Sequence, residues 1–310
     1  MPPFSRRRFL MLATLAPVSE VGAQLIGNGG GWSIRGTDPI ELFHGERRVA
    51  SYRSGGEAGL PLIDPVVGPT GGLYTAAMEK GEATGLFFAL GDANGFDFRS
   101  GSASGRPPGR ILHKGMNGVL IKGPVIAIRT KSEWLDAADE TKRICSDRRE
   151  LSFTYREDGS LVIDFALELA ADAGDLALGV ETEGAWSIRL APGLAWKGGG
   201  ESSALRNAEG LADAAVSGAR SNWVACQGKE AKGEAAGVAL FDHPANPDHP
   251  AAWTFGEGGL VSANPFGEGS DAPRLVPNGE SLFFRYRAIF FKGGIDGIDP
   301  AKAWEAFAAR

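Results

Sequence analysis

The sequence predicts an all-β protein, a large antiparallel β-sandwich with a short C-terminal helix. Three observations predict it. Leu151, Phe153 and Tyr155 alternate with Ser152, Thr154 and Arg156; Glu157-Asp158-Gly159 turns the chain; Leu161, Ile163, Phe165, Leu167 and Leu169 resume the alternation. Period two over this length marks a half-buried antiparallel hairpin. Glycine supplies 45 of 310 residues, against a usual share of roughly 7%, and these glycines fall between short alternating runs, as turns do. Near the C-terminus, Asp299 is an N-cap, Pro300 holds the first helical position, and Ala301, Trp304 and Phe307 share a face. That helix is expected to dock its aromatic residues on a sheet edge.

In chain order, Ser5-Arg6-Arg7-Arg8-Phe9-Leu10 has the form of a twin-arginine export signal. The apolar run Phe9 to Pro17 is too short to span a bilayer, and Val21-Gly22-Ala23 is a small-residue cleavage site. Residues 1–23 are therefore expected to be a signal peptide and 24–310 one β-sandwich domain, periplasmic or secreted. Without the first 23 residues, 29 basic face 37 acidic residues, a net charge of −8. An acidic chain with no basic cluster argues against nucleic acid as a partner. No later apolar run reaches membrane-spanning length, so no membrane insertion is expected once the signal is gone.

Gly45-Glu46 joins Ile40–His44 to Arg47–Tyr52 as a hairpin. Strand-like runs follow at Leu60–Val67 and Gly85–Gly91. The polar segment Ser100–Gly109 reads as an exposed loop. Arg110–Ile128 reads as two strands broken at Asn117-Gly118 and Gly123-Pro124, and Ser132–Arg143 as a short helix. Leu176–Glu183 and Trp186–Leu190 read as a pair around Gly184. Ser281–Phe291 reads as a long strand with Phe284, Tyr286, Ala288 and Phe290 on one face and Arg285 and Arg287 on the other. Cys145 and Cys226 are the two cysteines. Cys226, in an apolar run after Trp223, reads as a small core residue, although a pairing of the two fits an oxidising compartment.

Phe241 to Phe266 concentrates the chemistry. It carries two of the four histidines, His243 and His249, with Asp242, Asn246, Asp248, Trp253, Asn264 and four prolines. Proline removes a donor and fixes φ, so a rigid irregular loop is expected, and such loops carry sites. His243 and His249 are candidate acid or base, with Glu183 a candidate base. Asp242, Asn246 and Asn264 are candidates to bond ligand hydroxyls, and Trp253 to stack on a sugar ring. Arg189, Arg285 and Arg287 are candidates to hold hydroxyls or a carboxylate, although each also reads as a partner for a strand-face acid. Asn94 and Asp97 complete the substrate-binding candidates. Asp92-x-Asn94-Gly95-x-Asp97 resembles the start of a calcium loop but lacks its terminal Glu, so a turn at Asn94-Gly95 is preferred. The six-residue step between His243 and His249 matches no standard ligand spacing. No metal and no cofactor is called for, and no nucleophile elbow or phosphate-cradling loop is present.

Leu60–Thr75, Gly85–Phe98, Trp186–Leu190, Gly237–Trp253, Ser262–Phe266 and Phe283–Phe291 occur in an order that resembles a family of secreted bacterial proteins named methane oxygenase A-like, a domain of unknown function. The resemblance covers roughly Phe43 to Gly293. It implies a β-sandwich of the galactose-mutarotase kind and association with sugar-degrading proteins. It does not imply an integral-membrane oxygenase, since the chain offers no spanning helix. The chain departs from the family pattern in three places. Glu82-Ala83-Thr84 stand where relatives carry a His pair, Asp97-Phe98-Arg99 where they tend to have Asp-Phe-Trp, and Thr182-Glu183-Gly184 where they often have Lys-Glu-Gly. Two function classes follow. One is an exported enzyme that hydrolyses, eliminates or epimerises a sugar by acid/base catalysis. The other is a non-catalytic sugar-binding or interaction module that has lost the His pair. The partner in both is a carbohydrate or another small polar ligand.

Export is expected to depend on Arg6 and Arg7. Replacing both with Lys leaves uncleaved precursor in the cytoplasm in a fractionation assay, because the route reads the guanidinium pair. Normal export of the double variant would reduce the segment to a general secretory signal.

Overall fold

The computed structural model describes residues 25–26, 31–55, 59–76, 83–99, 104–180, 183–196, 203–267 and 273–310. The expected signal peptide, Glu82 and Thr182 lie outside the described residues. The first strands are β1 (Leu25–Ile26), β2 (Trp32–Arg35), β3 (Ile40–His44), β4 (Arg47–Arg53), β5 (Leu62–Val66) and β6 (Gly85–Phe88). Four longer strands follow: β7 (Gly109–Lys122), β8 (Val125–Asp136), β9 (Arg143–Tyr155) and β10 (Leu161–Ala170). The rest are β11 (Leu176–Leu178), β12 (Trp186–Arg189), β13 (Ala204–Asn207), β14 (Trp223–Lys229), β15 (Ala235–Asp242), β16 (Ala252–Phe255), β17 (Leu260–Asn264), β18 (Arg274–Val276), β19 (Ser281–Lys292) and helix α1 (Pro300–Ala308).

Among the described residues these strands build two large antiparallel sheets. One has nine strands in the order β1-β2-β3-β4-β5-β6-β12-β17-β16, the other eight in the order β13-β14-β15-β19-β10-β9-β8-β7, and β11 with β18 forms a small ribbon. The fold is the all-β antiparallel sandwich with a short C-terminal helix that the periodicity predicts. The hairpin of β9 and β10 holds the expected register, with Leu161 opposite Tyr155 and Phe165 opposite Leu151. Its turn closes through Arg156 N–H to the Ser160 carbonyl at 2.9 Å, with Gly159 at φ +80.

An aromatic seam joins the two sheets. Phe88 of the nine-stranded sheet packs on Phe165 and Phe284 of the other, with ring centroids 6.1 and 5.0 Å apart. Trp186 stacks on Tyr286 at 4.8 Å. Strand β19 is buried on both faces from Tyr286 to Phe291. Phe284, Tyr286, Ala288 and Phe290 enter the inter-sheet core. Ile289 and Phe291 face outward into a second cluster with Val162, Phe241, Ala303 and Phe307. Helix α1 supplies Ala303 and Phe307 to that cluster. It therefore lies on the outer face of the eight-stranded sheet, not on an edge. Asp299 caps it as expected, its side chain accepting from Lys302 N–H at 3.2 Å.

Four local expectations are corrected. Ser132–Arg143 is not a helix: it is the end of β8 and the turn into β9. Ser132 pairs with Asp147 and Trp134 with Cys145, and both side chains are buried, so period two continues through this polar stretch. Asn117-Gly118 does not break a strand but forms a bulge within β7, which keeps the edge strand continuous. Strands β11 and β12 do not pair: β11 joins β18, and β12 lies between β6 and β17. The segment after Phe241 is irregular only as far as Ala251, because β16 and β17 form a hairpin within it. Cys145 and Cys226 are both buried and free.

Phe165→Ala removes a ring that is 3% exposed and packs between Phe88 and Trp186. It is expected to cost about 3–5 kcal/mol in denaturant unfolding, the range for aromatic truncation in a core. A loss below about 1 kcal/mol would show that the site collapses around the cavity.

Candidate functional site

The Asp-His-Pro-rich segment forms a tightly bonded corner between the two sheets. Asp242, the last residue of β15, is its hub. Its carboxylate accepts from Asn246 Nδ2 at 2.6 Å and from Ala251 N–H at 2.8 Å, and lies 2.8 Å from His249 Nδ1. Its carbonyl accepts from Trp304 Nε1 at 2.9 Å. Asn246 also clasps the backbone of Arg285 with both ends of its amide, at 2.7 and 2.6 Å. Arg220 Nη1 donates to the carbonyls of Asp248 and Pro250, both at 2.9 Å, and Arg274 pairs with Asp248. The prolines leave few N–H groups here, so side chains supply the bonds that a ladder would otherwise make.

The histidines in this corner are unlike each other. His243 is buried edge-on against Phe307 at 5.0 Å. Its Nδ1 accepts from Ala245 N–H at 3.0 Å, so the neutral ring carries its proton on Nε2. Burial, aided by Arg285, His249 and Arg287, pushes its pKa down to about 4. His249 has a side chain 16% exposed, lies parallel to Trp304 at 6.3 Å, and is oriented by Asp242. Arg287 makes two bonds to Asp164 at 2.5 and 2.9 Å and sits 4.7 Å over Phe307. Arg285 donates from Nη1 to the Arg310 carbonyl at 3.2 Å. Trp253 is fully buried in the inter-sheet core and donates to the Ser221 carbonyl at 2.8 Å, so a sugar ring has no face of it to stack on. Asn264, at the end of β17, is also buried.

A second polar cluster lies on the outer face of the nine-stranded sheet. Leu62, Phe87, Ser187, Ser262 and Thr254 form one cross-strand row through β5, β6, β12, β17 and β16. Arg99 lies across this row. Its guanidinium reaches Glu183 at 2.9 Å, the Gly184 carbonyl at 2.6 Å, Ser187 Oγ at 2.8 Å and Ser262 Oγ at 3.1 Å, and sits 5.4 Å over Phe87. Asp97 holds the Arg99 backbone, accepting from its N–H at 2.8 Å, and also accepts from Ser104 Oγ at 2.6 Å.

Asp64 and Arg189 flank Gly85 in the next row. A Cβ on Gly85 would stand 2.6 Å from Asp64 Cβ, at φ +67, so only glycine fits there. Asp64 is 4% exposed and accepts from Thr75 Oγ1 at 2.9 Å; burial pushes its carboxyl up from the usual range. Arg189 straps neighbouring segments, donating to the Ala83 carbonyl at 3.2 Å and the Glu257 carbonyl at 2.9 Å.

The candidates thus divide by place. Asp242, His243, Asn246, His249, Arg285 and Arg287 gather at the corner, Glu183 and Arg189 on the outer face, and Trp253 in the core. Asn94 sits in a turn, at φ +51, its amide bonded to the Asp175 carbonyl at 3.0 Å and to Ala177 N–H at 2.7 Å. Asp64, Arg99, Ser187 and Ser262 are additions from the structure. The signal for Asp64 is a carboxylate inside the apolar run Leu60–Val67. Among the described residues, no group of three His, Cys, Asp or Glu side chains forms a metal-binding arrangement.

A family model described as a family of unknown function (DUF6807) matches residues 39–305; its description carries no methane oxygenase label. No curated protein matches the chain. Among solved structures, a glycoside hydrolase family 97 enzyme in complex with panose from Pseudoalteromonas sp. strain K8 is similar at 7% identity and a TM-score of 0.37, over 88% of this chain and 36% of that one. A GalM/aldose epimerase homologue from C. elegans is similar at 11% identity and a TM-score of 0.31, over 88% of this chain and 100% of that one. A glycoside hydrolase family 36 α-galactosidase from Geobacillus stearothermophilus in complex with raffinose is similar at 14% identity and a TM-score of 0.28, over 89% of this chain and 42% of that one. The chain spans little more than a third of the length of the first. Likeness at this level assigns no role to any residue.

His243 gives a pH signature. Its ring titrates near 6.5 when unfolded and near 4 when folded. Its contribution to stability is full above pH 6.5 and drains as pH falls towards 4, because the unfolded chain takes up the proton first. His243→Asn keeps an acceptor for Ala245 N–H but does not titrate. Unfolding free energies at about pH 7 and about pH 4.5 are expected to fall further for the wild type than for this variant. Equal losses would show that the ring takes up its proton alike in both states.

Proposed function

The chain belongs to the family of unknown function DUF6807, and from that premise we propose that it is an exported carbohydrate-binding protein whose ligand surface is the outer face of the nine-stranded sheet. The observation that supports this is the convergence of Asp64, Arg99, Glu183, Ser187, Arg189 and Ser262, from separate segments, on one sheet face. Sugars present closely spaced hydroxyls that both donate and accept. On this face Glu183 and Arg189 reach solvent and offer an acceptor and a donor, while Asp64, Arg99, Ser187 and Ser262 are buried beneath them and hold them in place. Glu183 has a side chain 55% exposed, which leaves its carboxylate open to a ligand while Arg99 orients it. Export through the twin-arginine segment makes the compartment periplasmic or extracellular, where such ligands are met.

A second reading, an enzyme working by acid/base chemistry on the same face, rests on Asp64. A carboxyl raised by burial is suited to donate a proton, and an exposed carboxylate such as Glu183 is suited to accept one. His243, deeply buried and neutral, takes no part in this reading.

Purified mature protein screened against an oligosaccharide panel, for thermal shift and for turnover together, separates the two. Glu183→Ala is expected to abolish the ligand-induced shift, read against its own unliganded melting temperature, which falls because Arg99, its side chain 5% exposed, loses its carboxylate partner. Asp64→Asn is expected to leave binding intact; if turnover is seen and this variant loses it, the enzyme reading stands. Ligand shifts unchanged by Glu183→Ala would remove the outer face as the binding surface.

A further inference from the structure

Between the segment after β4 and edge strand β7 lies a cavity of about 220 Å³, lined by Ser54, Gly55, Gly59, Arg110 and His113 together with Ile111 and Leu112. It lies at the β7 end of the eight-stranded sheet.

Its inner wall is a polar cluster inside an apolar sandwich. His113 Nδ1 lies 3.0 Å from the Tyr52 hydroxyl. Burial raises the Tyr52 phenol to about 12, so this hydroxyl keeps its proton, and it also bonds the Thr130 side chain. Burial also lowers the pKa of His113, opposed by Asp38 and aided by Arg149. The ring is therefore neutral. Behind it, Arg149 and Asp147 are each almost wholly buried and bonded at 2.9 and 2.7 Å, and Trp134 Nε1 donates to Asp147 at 2.7 Å.

Ser132 lies across the ladder from His113 on one side and Asp147 on the other. Thr130 lies across from Arg149. Both are buried, 1% exposed by residue; the Thr130 hydroxyl bonds the Tyr52 phenol, and the Ser132 hydroxyl has no hydrogen-bond partner among the described residues. A core that places so many polar groups together, one of them unsatisfied, calls for a reason beyond packing. The ladder also slips directly after His113, between His113 and Gly115. Bulges of this kind re-aim a side chain and are common beside sites.

We propose that this cavity is a binding site for a small hydroxy acid. The polar groups on its wall that can turn to a ligand include the guanidinium of Arg110, a donor, and the neutral ring of His113. Among the described residues, Arg110 pairs with Glu140 at 2.8 Å, both side chains about half exposed, a contact that an incoming carboxylate replaces at little cost. At roughly 30 Å³ per water the cavity has the bulk of about seven waters, the size of a five- or six-carbon acid and smaller than a drug-sized ligand site. The carboxylate is placed at Arg110 and a hydroxyl, which can donate or accept, at the His113 ring.

The test is a titration of the purified full mature chain with sodium glucuronate, with glucose as the uncharged control, followed through the His113 imidazole resonances and assigned by their loss in His113→Phe. Glucuronate is expected to shift those resonances saturably. Glucose is expected to bind about tenfold more weakly or less, and Arg110→Met to weaken glucuronate about tenfold or more, the scale of one charge-assisted bond. Arg110 is solvent-exposed, so the variant is expected to fold. Silent His113 resonances throughout the glucuronate titration would overturn the proposal, and so would glucose binding as tightly as glucuronate or an unchanged affinity in Arg110→Met.

Discussion

Strand β19 is buried on both faces, and much of the molecule depends on that. A strand that is buried on both sides must be central in its sheet and covered twice. The nine-stranded sheet covers one side, with Phe88 and Trp186 meeting Phe284 and Tyr286. The other side needs a second cover, and helix α1 supplies it with Ala303 and Phe307. The cap at Asp299 and the bond from Trp304 Nε1 to the Asp242 carbonyl fix the position of the helix. The corner after Asp242 is then clamped to β19 through the amide of Asn246. The His-Pro-rich segment is thus held by a strand whose own position is set by hydrophobic burial.

Three buried guanidinium groups show how the sandwich handles charge. Arg287 with Asp164 lies beneath α1, Arg149 with Asp147 lies in the inter-sheet layer, and Arg99 with Glu183 lies on the outer face. Each guanidinium has a carboxylate partner, because an unpaired charge in such a place costs several kcal/mol. Pairing also changes what the residues can do. Arg287 is committed to structure. Arg99 orients Glu183 and bridges two serines, so on that face the same bonds that hold the sheet also arrange groups towards solvent.

The two sheets differ in what their outer faces carry. The outer face of the eight-stranded sheet is partly closed by α1, which covers an apolar cluster and the Arg287–Asp164 pair. The outer face of the nine-stranded sheet carries Asp64, Ser187, Arg189 and Ser262 in adjacent cross-strand rows. Period two makes this possible: along β12, Trp186 and Ile188 enter the core while Ser187 and Arg189 point away. Function on a sandwich is available where the alternate residues need not be apolar.

The sequence by itself determined the elements and their inward faces. Alternation in β9, β10 and β19, the glycine turns and the capped terminal helix all follow from local rules, because side-chain parity and capping are set by neighbours along the chain. It did not determine which strands neighbour which. Nothing local in Leu176–Leu178 says that it pairs with residues 274–276, and nothing in Ser132–Asp136 separates a polar strand end from a short helix until Asp147 lies beside it. The site followed the same division. The sequence pointed to the Asp242–Pro250 run because its residues are contiguous and unusual, whereas Asp64, Arg99, Ser187 and Ser262 are scattered through the chain and meet only when β5, β6, β12 and β17 are laid side by side. Trp253 had the right chemistry for stacking, but parity and hydrophobic burial turned it into the core. Partnership across a sheet is a long-range contact, and only the tertiary structure could decide it.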